Sequence, residues 1–133
     1  MTDFRRVTDK LSVSPQISLA DVAEAARQGF RTLINNRPDG EEPGQPTSQE
    51  MEAAAAKAGM AYMYVPVRGM ATPDQVELTR HIVESTDKPV LAFCRSGTRS
   101  ITTWARAEAQ TRPKEELISL GRAAGYDLAG VLP

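Results

Sequence analysis

The chain has 133 residues, with 16 Lys and Arg against 17 Asp and Glu, a formal charge of −1 and 41% hydrophobic residues. That length suits one domain, 1–133, with a single core, and the balanced charge excludes bulk electrostatic attraction to nucleic acid or to a membrane surface. Aromatic residues make up only 5%, too few for a base-stacking platform. No apolar run approaches the ~20 residues of a membrane span, and the opening Met1 to Arg6 lacks the apolar centre of a signal peptide. One cysteine makes no internal disulfide, so a cytoplasmic or otherwise reducing location is expected.

In chain order, Phe4 to Val7 and Leu11 to Val13 are short apolar stretches around Thr8, Asp9 and Lys10, which reads as an edge hairpin. Ser18 and Asp21 form a capping-box pattern. Leu19, Val22, Ala23 and Ala26 then share one helical face, and Gly29 stops the helix. Thr32 to Asn35 is a short strand. Between Asn36 and Thr47, three prolines, two glycines and three carboxylates exclude regular structure. This stretch is either a solvated connector or, leaving the end of a central strand, a rim of the active site through Arg37 and Asp39. Thr47 and Glu50 form a second capping box, Met51 to Ala58 is an alanine-rich helix, and Gly59 is its stop. Ala61 to Val67 is a strand interrupted at Pro66. Thr72 to Gln75 starts a third helix with proline first, and Val76, Thr79, Ile82 and Val83 form its inward face. His81, the only histidine, lies off that face and reads as a surface residue.

Val90 to Phe93 is short, apolar and introduced by Pro89, as a buried parallel strand would be. It runs into Cys94, Arg95, Ser96, Gly97, Thr98, Arg99 and Ser100, and a helix from Ser100 to Ala109 follows with Ile101, Trp104, Ala105 and Glu108 at helical spacing. Trp104 reads as a core anchor beneath the loop. A last helix opens at Pro113 and runs through Leu117, Ile118 and Leu120, loosened by Gly121 and Gly125, with Tyr126 to Pro133 as a terminal turn. Helices alternating with strands predict a three-layer α/β domain on a mostly parallel sheet of four or five strands.

A lone cysteine at a strand end is ordinarily a small buried hydrophobe. Here its surroundings have no packing rationale. Backbone amides converging before a helix N-terminus attract anions, because unpaired N–H groups and the helix dipole both favour negative charge. The same field favours thiolate over thiol at Cys94. Gly97 supplies the freedom that close approach of a ligand requires. Strand, Cys-x4-Arg, helix is a plan for a nucleophilic sulfur in an oxyanion cradle. A thiolate so placed attacks phosphorus to give a thiophosphate ester, or accepts sulfane sulfur as a persulfide.

The stretches Val13 to Ile17, Gly29 to Glu41, Phe93 to Ser100 and Gly125 to Leu128 resemble, in order, the phosphatase-like domain of beta-lactamase-hydrolase-like proteins. The resemblance covers nearly the whole chain. It implies a three-layer fold like that of dual-specificity tyrosine phosphatases, with Cys94 as nucleophile, the Arg95, Ser96, Gly97 and Thr98 amides as phosphate cradle, and Arg99 as the bidentate oxyanion clamp. Ser100 then matches the hydroxyl that helps the thiolate leave. Three features depart from the tyrosine-phosphatase pattern. Four residues, not five, separate cysteine from arginine, as in the rhodanese loop. Phe93 stands where histidine is usual. The loop Val67 to Ala71 lacks the usual acid, leaving Asp74, a few residues late, as the candidate, with Asp39 as the other.

The expected function is therefore a cysteine-dependent phosphatase-like hydrolase acting on a small anionic or phosphorylated molecule. A rhodanese-type sulfurtransferase is the alternative, and a non-catalytic anion- or partner-binding module is the third reading. One histidine and one cysteine far apart make no recognisable metal-ligand set, and no cofactor is expected. Neither nucleic acid nor membrane is expected as a partner.

Overall fold

The computed structural model describes residues 2–132. The elements are β1 (Arg5–Arg6), β2 (Leu11–Ser14), α1 (Leu19–Arg27), β3 (Thr32–Asn35), α2 (Ser48–Lys57), β4 (Ala61–Tyr64), α3 (Pro73–Glu84), β5 (Val90–Phe93), α4 (Thr98–Glu108) and α5 (Lys114–Ala123). The strands form one sheet in the order β1-β2-β5-β3-β4. Only the β1–β2 pair is antiparallel, so the expected hairpin at the edge of a mostly parallel sheet is present.

Alternation along the strands divides the core. Val13, Ile34, Val90 and Ala92 pack with Ile82 and Val83 of α3, Ile101 and Trp104 of α4 and Leu117 of α5. Leu33, Leu91 and Phe93 face the other way, against Val22 and Ala25 of α1 and Met51 and Ala55 of α2. Two helices thus cover one face and three the other, which makes the three layers. Trp104 is an anchor in the first cluster, 2% exposed. Among the described residues, no helix is long and apolar enough to cross a membrane.

All three predicted capping boxes form, at Ser18/Asp21, Thr47/Glu50 and Thr72/Gln75. Four local expectations are corrected. Helix α1 buries Val22 and Ala25, while Leu19 and Ala23 are exposed; the sheet and α2 select a different stripe from the one that spacing alone suggests. Strand β4 ends at Tyr64, before Pro66, because the chain bends there to bring the Val67 N–H to the Asn36 carbonyl. Helix α4 begins at Thr98, two residues early, with Gly97 as its N-cap. Gly121 does not loosen α5. It lies inside the helix, where an added Cβ would come within 2.6 Å of Leu128 Cδ1, so its bare backbone lets the tail pack closely.

In the central register, Ser14 and Asn35 both pair with Phe93. The residues just past β2, β3 and β5 therefore leave the sheet together. Asn36 donates its N–H to the Phe93 carbonyl at 2.8 Å, and Cys94 donates to Ser14 at 3.4 Å. This edge is where open α/β sheets place ligands.

Candidate active site

Cys94 ends the central strand and is fully buried, yet it belongs to neither apolar cluster. Its Sγ accepts the Gly97 backbone N–H at 3.1 Å. Gly97 adopts φ +92, a left-handed conformation that L side chains avoid. That turn swings the chain directly into α4, so the Thr98 and Arg99 amides lie in the first helical turn, facing the loop. The Ser96 hydroxyl donates to Thr98 Oγ1 at 3.0 Å and receives the Thr98 N–H at 3.3 Å, closing the outer side of the loop. Arg95 is exposed and its carbonyl accepts the Gln16 N–H.

The Arg99 guanidinium is held end-on. Nη1 donates to Glu41 Oε2 at 2.8 Å and to the Val67 carbonyl at 2.9 Å, and Nη2 donates to Glu41 Oε1 at 2.9 Å. Of its five N–H donors, this leaves Nε–H and one Nη2–H, which point the same way and form a side-on fork. Glu41, chiefly, holds the Arg99 pKa above its ordinary value, and the neighbouring Cys94 adds to this. In return Arg99, and less strongly Arg37, hold the Glu41 carboxyl down at about 2, against the opposing effect of burial.

Arg37 is not on the rim. It is 1% exposed, donating from Nε to Glu41 at 3.0 Å, from Nη1 to Gln16 at 3.0 Å and from Nη2 to Glu42 at 3.1 Å. Its partners reach in from the surface, so the charge is neutralised without a buried carboxylate. Arg37, Glu41 and Arg99 form a chain of alternating charge from the 36–47 stretch to the cysteine loop. Asn36 makes a second link: its Nδ2 donates to the Val65 carbonyl at 2.9 Å and its Oδ1 accepts the Ser100 hydroxyl at 2.8 Å.

Tyr126 closes the loop from outside. Its hydroxyl donates to the Ser96 carbonyl at 2.9 Å, and a Cβ on Gly97 would stand 2.1 Å from that hydroxyl oxygen. The Ser96 carbonyl and the Gly97 N–H belong to one peptide plane and point in opposite directions across it. Tyr126 therefore grips the outer end of the peptide whose inner end donates to the sulfur. Burial raises the Tyr126 pKa, keeping the phenol a donor. The Arg5 guanidinium lies 5.1 Å from its ring centroid.

The residues Cys94 to Ser100 run from the end of β5 into the first turn of α4. Ser100 is buried with its one proton given to Asn36. Asp74 lies exposed in the first turn of α3, a position that stabilises a helix start. Asp39 accepts the Ser48 N–H at the start of α2 at 2.8 Å and donates its own N–H to the Tyr64 hydroxyl. His81 is exposed. Sequence reasoning missed Glu41, Asn36 and Tyr126. Only a charge count could have hinted at Glu41, since Arg99 needs a carboxylate and this loop holds three. Among the described residues, no group of three or more His, Cys, Asp or Glu is placed to hold a metal ion.

The comparisons agree with this architecture. A candidate phosphatase of Neisseria meningitidis Z2491, known from a crystal structure, is 33% identical, with a TM-score of 0.85 over 98% of this chain and 94% of that one. The active form of Tk-PTP superposes with a TM-score of 0.74 at 21% identity, covering 94% of this chain and 86% of its own, a likeness of fold. The fold is that of the tyrosine-phosphatase-like proteins. Beta-lactamase hydrolase-like proteins of Xylella fastidiosa and Agrobacterium fabrum are 38% and 35% identical over 92% of this chain, which spans 29% of their length. Residues 3–111 match the model of the beta-lactamase hydrolase-like protein, phosphatase-like domain, and the chain belongs to that family.

Proposed function

We propose that the chain is a cysteine-dependent phosphatase-like hydrolase that cleaves phosphate esters through a Cys94 thiophosphate intermediate. The observation that carries this reading is the Gly97 N–H on Cys94 Sγ at the start of a helix whose second residue, Arg99, keeps a side-on fork of two donors free. The sulfur attacks phosphorus. The equatorial oxygens are taken by Nε–H and Nη2–H of Arg99 and by the Arg95–Thr98 amides, with the Gly97 and Thr98 N–H groups turning to them from Cys94 Sγ and Ser96 Oγ, bonds that strengthen as the oxygens crowd in the transition state. Glu41 orients the guanidinium without occupying that fork. Ser100, hydrogen-bonded to Asn36, holds the start of α4 against the ends of β3 and β4 and acts as a positioning residue. The Phosphatase-like family and fold support this reading.

The cradle spans six residues from Cys94 to Arg99, and this favours a second reading, sulfur transfer through a Cys94 persulfide, because a shorter loop offers one amide fewer. One pair of assays separates them: phosphate release from an aryl phosphate, and thiocyanate formation from thiosulfate and cyanide. Phosphate release that falls on the order of 10³-fold or more in Cys94→Ser is expected. Thiocyanate without phosphate release overturns the hydrolase in favour of the transferase. Anion binding with neither product, and a thiol inert to iodoacetamide, supports the binding module.

A further inference from the structure

The carboxylates nearest in sequence to the site are either hydrogen-bonded to other groups or set at the start of a helix. The segment between β4 and α3, residues 65–72, contains none. It approaches the site directly, since the Val67 carbonyl takes a proton of Arg99 Nη1 at 2.9 Å. The next residue is Arg68, exposed and, among the described residues, without an ion-pair or hydrogen-bond partner for its guanidinium. Asp74 sits exposed at the start of α3. Asp39 is bound to the Ser48 N–H. Glu41 is nearest, but both its oxygens receive guanidinium donors, Oε1 from Arg37 and Arg99 and Oε2 from Arg99. A proton there would cost two arginines their partner. Asp127, next to Tyr126, accepts the Ala129 N–H at 3.0 Å. The segment that reaches Arg99 thus carries a cation, Arg68, and no acid.

Resting on the hydrolase reading above, we infer that the substrates are phosphate compounds whose leaving group departs as a stable anion, aryl and acyl phosphates rather than alkyl phosphates. In the first step an S–P bond forms and the P–O bond to the leaving group breaks. The leaving oxygen keeps the electron pair, departs as the anion, and takes its proton afterwards from bulk water. In the second step water attacks phosphorus, the S–P pair returns to sulfur, and the proton of the attacking water passes to solvent. No oxidant or reductant enters.

The test is kcat/KM across a series from 4-nitrophenyl phosphate through phenyl phosphate to glycerol phosphate, on the whole chain. This ratio reports the steps up to departure of the leaving group. Without acid assistance it falls ~10²-fold or more from the nitrophenyl to the phenyl ester, the scale of a missing general acid. The same slope is expected in Asp74→Asn and Asp39→Asn. Rates within a few-fold of each other across the series overturn the inference, as does a slope that steepens in either variant, which would identify that carboxyl as the acid. Those results leave the hydrolase standing. Absence of Cys94-dependent phosphate release from 4-nitrophenyl phosphate and acetyl phosphate removes both.

Discussion

The loop after β5 and the loop after β3 leave neighbouring strands at the same edge of the sheet, but they are built on opposite plans. The first, 94–99, is short and made of backbone: one left-handed glycine, its N–H on the sulfur and a helix start define its shape. The second, 36–47, is long and made of side chains: buried Arg37 gathers Gln16, Glu41 and Glu42 around itself. The backbone loop supplies the electrophilic surroundings of the sulfur. The side-chain loop supplies the carboxylate that sets the angle of Arg99. Rigidity in the first is a property of peptide geometry, and in the second of charge pairing, so the two should fail differently.

The largest effect is expected at the hub of the second loop. Arg37→Met removes a buried cation with three partners, and because those partners are partly solvated the loss is put at about 2–3 kcal/mol of stability, below that of a fully buried pair. Urea unfolding measures it, and phosphate binding should weaken in the same variant. An unchanged midpoint would mean the 36–47 loop is held by its prolines instead.

Glu41→Gln should spare the fold and misalign Arg99, lowering kcat/KM on an aryl phosphate ~10–10²-fold, the cost of a small displacement near the reacting atoms. Its sign with pH is definite. A carboxyl held at about 2 in the folded chain and near ~4.3 when unfolded contributes stability that is fully present above pH ~4.5 and is lost as pH falls toward 2. Unfolding midpoints between pH 6 and pH 3 should fall more in the natural chain than in the variant, since Asp3, Glu24 and Glu77, also held low by side-chain hydrogen bonds, remain in both. Equal acid sensitivity in both would break the proposed link between the loops.

The smallest effect belongs to the grip on the first loop. Tyr126→Phe removes one hydrogen bond, about 1 kcal/mol or less of stability. It should also slow alkylation of Cys94 several-fold as the Gly97 N–H loses its orientation. A stability change with no change at the sulfur would make Tyr126 a packing residue only.

Legibility in the sequence followed the same division. The cysteine loop could be read because its signals are contiguous: an apolar run, a glycine and a helix start within eleven residues, whose meaning depends on backbone geometry. The capping boxes at Ser18, Thr47 and Thr72 were readable for the same reason, being complete within four residues. Glu41 was not, because its partner is 58 positions away and nothing local marks one of three neighbouring carboxylates over the others. Arg37 reads as a rim residue because its stretch leaves the end of a central strand, yet it is buried; only the three-dimensional gathering of its partners makes that burial tolerable. The inward face of α1 was misjudged at Leu19 and Ala23 because α2, not helical period alone, decides which stripe is covered.

Tyr126 follows α5 and lies beyond residues 3–111, the part matched to the family model. Its hold on the Ser96 carbonyl ties the geometry of the Cys94 loop to a stretch of chain beyond the last helix. A shift of the segment after Gly125 therefore works as a lever on the one peptide plane that donates to the sulfur.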